Sequence, residues 1–119
     1  MGPEKKLWQE LKRKTPQIKW TRIENTSSLG TPDVLGYNSS GKFFTVELKV
    51  TRSNKVQFSP HQIAFHVRHP KNTYILVKSL VQSDLKLFEG SQIKQLVACG
   101  FKLEACRLGL ESIIRTLET

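Results

Sequence analysis

The chain has 119 residues, 38% hydrophobic and 24% charged, the composition of one ordinary globular domain (1–119) with room for a single core. No apolar run approaches the roughly 18–20 residues of a membrane span, and the charged stretch MGPEKKLWQELKRK lacks an apolar signal region, so the reading is an intracellular chain without a membrane partner. A net charge of +9 and a pI near 9.8 favour a polyanionic partner.

The excess charge leans towards the first half, where residues 1–60 carry eleven Lys/Arg against five Asp/Glu. Two cysteines, Cys99 and Cys106, match neither a zinc spacing nor a disulfide framework and read as reduced thiols.

In chain order, Leu7, Trp8 and Leu11 recur at helical spacing from Glu4 to about Lys14, and Pro16 closes that helix. IKWTRIE (18–24) alternates as a strand and NTSSLG (25–30) is a polar loop. DVLGY (33–37) and FFTVELKVT (43–51) are two strands of a hairpin joined by NSSGK, with Gly41 in the turn. A basic loop, 51–57, leads to a helix with explicit start signals. Ser59 is its N-cap, Pro60 the first helical residue and Gln62 the far member of a capping box, while Phe58 and Ile63 form a hydrophobic staple. That helix runs to about Arg68. TYILVKS (73–79) reads as a buried strand, DLKLFE (84–89) as an edge strand, and 91–99 and about 109–118 as amphipathic helices. The stripe Leu110, Ile113, Ile114 and Leu117 either covers the chain's own sheet or forms a dimer surface.

The strand FFTVELKVT carries the chemistry. With a period of two, Phe44, Val46, Leu48 and Val50 share one face, and Thr45, Glu47, Lys49 and Thr51 the other. A carboxylate and an ammonium in so apolar a strand are costly unless matched or liganded. Asp33 follows Pro32, which holds its backbone, and the closed hairpin brings it beside Glu47. Two converging carboxylates suit Mg²⁺, or Mn²⁺ in its place. Such an ion polarises a phosphodiester and acidifies a water, and Lys49 stands by to orient that water or to stabilise developing charge.

Pro32-Asp33, thirteen residues, then Glu47-Leu48-Lys49 resembles the signature of the PD-(D/E)XK nuclease superfamily. The wider pattern GTPD…FTVELK…FSPHQIAF is similar to its VRR-NUC-like and Holliday-junction-resolvase-like branches, including small phage-encoded nucleases. The resemblance implies an α/β fold: a restriction-endonuclease-like core, α-β-β-β-α-β, with a mixed central sheet flanked by helices and extra C-terminal helices. It implies a metal site of Asp33, Glu47 and the Leu48 carbonyl, joined by Glu4, with Glu10 as second choice. Glu24 is a further candidate for the same cleft.

In those relatives a glutamine often follows early in the next helix. Gln62 matches it and is read either as a helix cap or as a partner of a phosphate or of Lys49. Arg52, Lys55, His61 and Arg68 are candidate DNA contacts, a solvated polar face being the other reading of the helix residues. The expected function is Mg²⁺-dependent endonucleolytic cleavage of DNA. It is structure-selective, as in Holliday junction processing by a homodimer, because little chain remains for base readout. A homing- or restriction-type enzyme is the first alternative, and an inactive DNA-binding module the second.

Overall fold

The computed structural model describes residues 2–23 and 30–119. Its elements are α1 (Pro3–Lys14), β1 (Lys19–Arg22), β2 (Val34–Tyr37), β3 (Phe43–Thr51), α2 (Pro60–Arg68), β4 (Thr73–Ser79), β5 (Leu85–Glu89), α3 (Ile93–Cys99), β6 (Arg107–Leu108) and α4 (Leu110–Glu118). Short 3₁₀ turns at Gly90–Gln92 and Gly100–Lys102 bracket α3.

The six strands form one mixed sheet in sequential order. Neighbours are antiparallel except β3 and β4, which run parallel from Thr45↔Thr73 to Thr51↔Ser79. Parallel neighbours need a crossover, and α2 supplies it. A helix returning from the end of β3 to the start of β4 begins beside the carboxyl end of β3. This topology places the α2 N-terminus next to Glu47 and Lys49.

Alternation sorts the sheet into two cores. Phe44, Val46 and Leu48 of β3 pack with Leu7, Trp8 and Leu11 of α1 and with Ile113 and Leu117 of α4. On the opposite face Ile75, Val77 and Phe88 pack with Ile93 and Leu96 of α3, and Phe58 and Ile63 join them. The α/β class with helices on both faces of a mixed sheet is therefore as expected.

Within the first core, Trp8, Trp20, Phe44 and Tyr74 meet edge to face in succession at centroid distances of 5.5, 5.5 and 6.0 Å. Phe44 lies over Gly36, its cross-strand partner, where an added Cβ would stand 2.5 Å from Phe44 Cζ.

Two sequence expectations change, and one open alternative is decided. The 84–89 segment is an interior strand, because Arg107–Leu108 pairs with its outer side through Lys86↔Leu108 and Leu87↔Arg107. That two-residue strand is too short to carry a periodic signal. The first strand is shorter than its alternating pattern, spanning Lys19–Arg22. Of the α4 stripe, Ile113 and Leu117 are buried against the chain's own sheet, leaving them no part in a dimer surface. The other boundaries lie within a few residues of those read from the sequence, and both cysteines are free.

Candidate active site

Asp33 stands immediately before β2 and is tied to the strands on both sides. Its main-chain carbonyl accepts from the Ile23 N–H at 2.9 Å, and its Oδ2 accepts from the Leu48 N–H at 2.7 Å. The second bond follows from register. β2 and β3 pair as far as Val34↔Val46, so Leu48 lies beyond the ladder with its main chain facing the gap that Asp33 fills. The Leu48 side chain is buried in the opposite direction, in the α1/α4 core.

Glu47 and Lys49 project from the other face of β3, beneath α2. Glu47 is 3% exposed; its Oε2 accepts from Gln62 Nε2 at 3.3 Å, and its Oε1 is buried with no hydrogen-bond partner among the described residues. Burial pushes its carboxyl up to about 9. The negative charge of Asp33 beside it adds to the rise, as does a proton shared between the two carboxyls, and Lys49 pulls only partly the other way. Without a cation beside it, the Glu47 carboxyl therefore favours its protonated form. Lys49 Nζ donates to Gln62 Oε1 at 3.1 Å and lies 4.9 Å from the Phe58 ring centroid.

Gln62 resolves the choice between cap and site by doing both. Ser59 Oγ accepts from the Gln62 N–H at 3.2 Å, and Gln62 Oε1 accepts from the Ser59 N–H at 3.0 Å, completing the capping box. The same Oε1 accepts from Lys49 through its second lone pair, while Nε2 faces Glu47. The box pins the amide, and the pinned amide joins the two charged residues of β3.

Glu4 lies in the first turn of α1. It is exposed, yet its carboxyl feels the site: partial burial raises it, Lys49 lowers it and Asp33 raises it. Glu10 instead borders a shallow groove with Lys6, Gln9, Arg13 and Lys78. Glu24 lies outside the described residues. Among the described residues no group of three or more His, Cys, Asp or Glu is drawn together tightly enough to hold a metal unaided. The oxygen donors at hand are the Asp33 and Glu47 carboxylates and the neighbouring main chain of Leu48, with Glu4 at the rim. This set fits a hard divalent cation, and the partnerless buried Oε1 of Glu47 is the atom most in need of one.

The basic candidates lie on the loop after β3 and along α2, with Arg68 at the end of α2 away from Gln62. Arg52 and Lys55 are exposed on a loop that is itself anchored. Thr51 Oγ1 donates to the Lys55 carbonyl and accepts from the Ser53 N–H, and Asn54 bonds Cys99 O and the Lys102 N–H. His61 and Arg68 are exposed on α2 with Phe65 half-buried between them, and Phe65 stacks on His69 at 4.3 Å. The loop leading to Asp33 rests on the His61 backbone at Gly30, where φ is +83° and no Cβ fits.

One residue of this neighbourhood escapes the motif. His66 is 0% exposed, and its Nδ1 lies 3.0 Å from the Gln62 carbonyl, which requires the proton on Nδ1. Burial lowers its pKa, favouring the neutral ring. Its position one turn after Gln62 is the only sequence signal, and that spacing is common to any helix.

Comparison with models of protein families gave no match, and comparison with curated proteins gave none.

Proposed function

We propose that this chain is a metal-dependent endodeoxyribonuclease with a restriction-endonuclease-like core, acting on branched DNA as a homodimer. The observation that supports it best is the convergence of Asp33, Glu47 and Lys49 around a buried carboxylate oxygen that has no hydrogen-bond partner among the described residues. A purely structural salt bridge gives no reason to bury Glu47 against a second carboxylate, since that pairing raises the cost of its charge. A cation-binding site does.

Asp33, Glu47 and the Leu48 carbonyl would hold Mg²⁺ or Mn²⁺, with Glu4, whose carboxyl feels the charges of Lys49 and Asp33, as a further donor. Bound there, the ion supplies positive charge to a phosphodiester and lowers the pKa of a water. The chain's own residues do the rest. Gln62 keeps the Lys49 ammonium on the Glu47 side of the cleft, within reach of a nucleophilic water or a phosphate oxygen. Lys49 orients that water and offsets charge as it builds on phosphorus. Asp33 holds the Leu48 peptide in place through its N–H. Arg52, Lys55, His61 and Arg68 contact backbone phosphates on either side, positioning DNA without reading its sequence.

The test uses labelled four-way junction, flap, single-stranded and linear duplex DNA with Mg²⁺, Mn²⁺ or EDTA. Metal-dependent products are expected with the wild type, preferentially from the junction, and none from Asp33→Ala or Glu47→Ala, both of which still bind. Cleavage unchanged in both variants, or binding without cleavage of any substrate by the wild type, sinks the proposal. The second outcome would leave a DNA-binding module.

A further inference from the structure

A cavity of about 410 Å³ opens at the opposite end of the sheet from the carboxylates and on its other face, where β3 and β4 begin beneath α4. That volume is in the range of small-ligand sites. Its chemistry is lopsided, because Lys42, Arg107 and Arg115 line it and no Asp or Glu does.

These cations are largely uncommitted. The Lys42 ammonium has no side-chain partner among the described residues. Arg107 gives Nη1 to its neighbour's carbonyl, Cys106 O, keeping its remaining donors. Arg115 meets Glu111 at 3.3 Å in a bridge whose two side chains are both largely exposed, so it opens at little cost.

Beside the cations stand aromatic rings. Tyr74 and Phe44 line the cavity from the sheet, and Phe43 at its rim is 59% exposed. Phe43 is held against Tyr37 at 4.4 Å, so the ring is pre-positioned, with part of its surface in water. The frame is rigid as well. The buried Asn38 accepts from the Ser40 and Lys42 N–H groups and donates to Leu117 O, fastening the β2–β3 turn to α4.

We infer that this cavity binds a phosphorylated nucleoside unit, with the phosphate on Arg107, Arg115 and Lys42 and the base against Phe43. Guanidinium groups match a phosphate in bidentate fashion, and an exposed ring offers a face to a base. The unit is either a free nucleotide or the 5′-phosphorylated end of a strand. This site is independent of the nuclease reading: it lies at the other end of the sheet, where β3 and β4 begin beneath α4, and its ligand is bound without metal.

The test is titration of the wild-type protein in EDTA with deoxyadenosine 5′-monophosphate, deoxyadenosine, and a trinucleotide with and without a 5′-phosphate. Saturable binding that requires the phosphate is expected. Arg107→Ala with Arg115→Ala should weaken it about tenfold or more, and Phe43→Ser by roughly tenfold. All three side chains are exposed, so the fold should survive their removal. The charge-matched control is Lys6→Ala with Arg13→Ala, an exposed pair on α1 away from the cavity, which should leave binding unchanged. Without any substitution, backbone amide resonances of residues 42–44, 72–74 and 107 should shift on adding the monophosphate.

Binding of the monophosphate alone marks a free nucleotide as ligand, and binding of the phosphorylated trinucleotide as well marks a strand end. Equal weakening by the two charge pairs, equal binding of deoxyadenosine, equal binding of a Glu-rich peptide, or shifts confined to 47–49 and 62 would each overturn the inference.

Discussion

A carboxamide can accept at one end and donate at the other, and Gln62 uses both ends on residues that the chain sets apart. Its amide belongs to the α2 cap and to the Lys49–Glu47 pair at once. The two roles separate by mutation. Ser59→Ala removes one half of the capping box and should cost about 1 kcal/mol, with the contacts to Lys49 and Glu47 retained and cleavage preserved. Gln62→Ala frees Lys49 and strips Glu47 of its donor; under the nuclease reading cleavage should fall about 10²-fold. Thermal melting beside cleavage rates checks this, and equal activity in the two variants would reduce Gln62 to a cap.

Glu47 makes a second residue-scale prediction. Its folded-state carboxyl titrates near 9 and its unfolded one near 4.5, so between these values the folded state binds the extra proton. Stability of the metal-free protein should therefore fall as pH rises from about 5 to 9. Denaturant titrations across that range should show the slope, and Glu47→Gln should flatten it. Mg²⁺ should stabilise the wild type more at pH 8.5 than at pH 5.5, because it competes with that proton. No slope in either protein would mean that Glu47 is not buried as described.

At the scale of elements, the hairpin depends on close contact between strands. Gly36 leaves room for Phe44, which is fixed between Trp20 and Tyr74 and cannot turn aside. Gly36→Ala should destabilise by roughly 1–3 kcal/mol, read as a lower denaturation midpoint with unchanged slope. The capped helix, the hairpin and the buried β4 were legible because their signals are local: a Ser-Pro-x-Gln start, a turn glycine, a run of β-branched residues. The strand β6 was not. Two exposed residues, Arg107 and Leu108, carry no pattern, and they pair only because β5 offers a free edge. His66 was illegible for a related reason, since a histidine on a helix declares its burial only when Gly90 is packed against it.

Across the whole molecule the net charge of +9 acts on any polyanion, and its effect depends on salt. Under the proposed DNA-binding role, affinity for duplex should drop steeply between low and moderate salt. Arg52→Ala with Lys55→Ala should shallow the log–log slope by about two, one for each lost phosphate contact. An unchanged slope would place both residues outside the interface. Anisotropy with labelled duplex in EDTA separates this from cleavage.

The sequence by itself determined which side chains could act. Period-two alternation put Glu47 and Lys49 on one face of β3, and the hairpin length brought Asp33 to that strand. These are properties of short covalent distances. Tertiary structure decided what joins them and what does not. The parallel crossover carries Gln62 back over β3 to bridge Lys49 and Glu47, while Glu10 falls on another groove. It also buried the α4 stripe in the chain's own core and opened a basic cavity beneath that helix. Contacts between residues far apart in the chain are set by packing one face against another, and no window of sequence contains both faces.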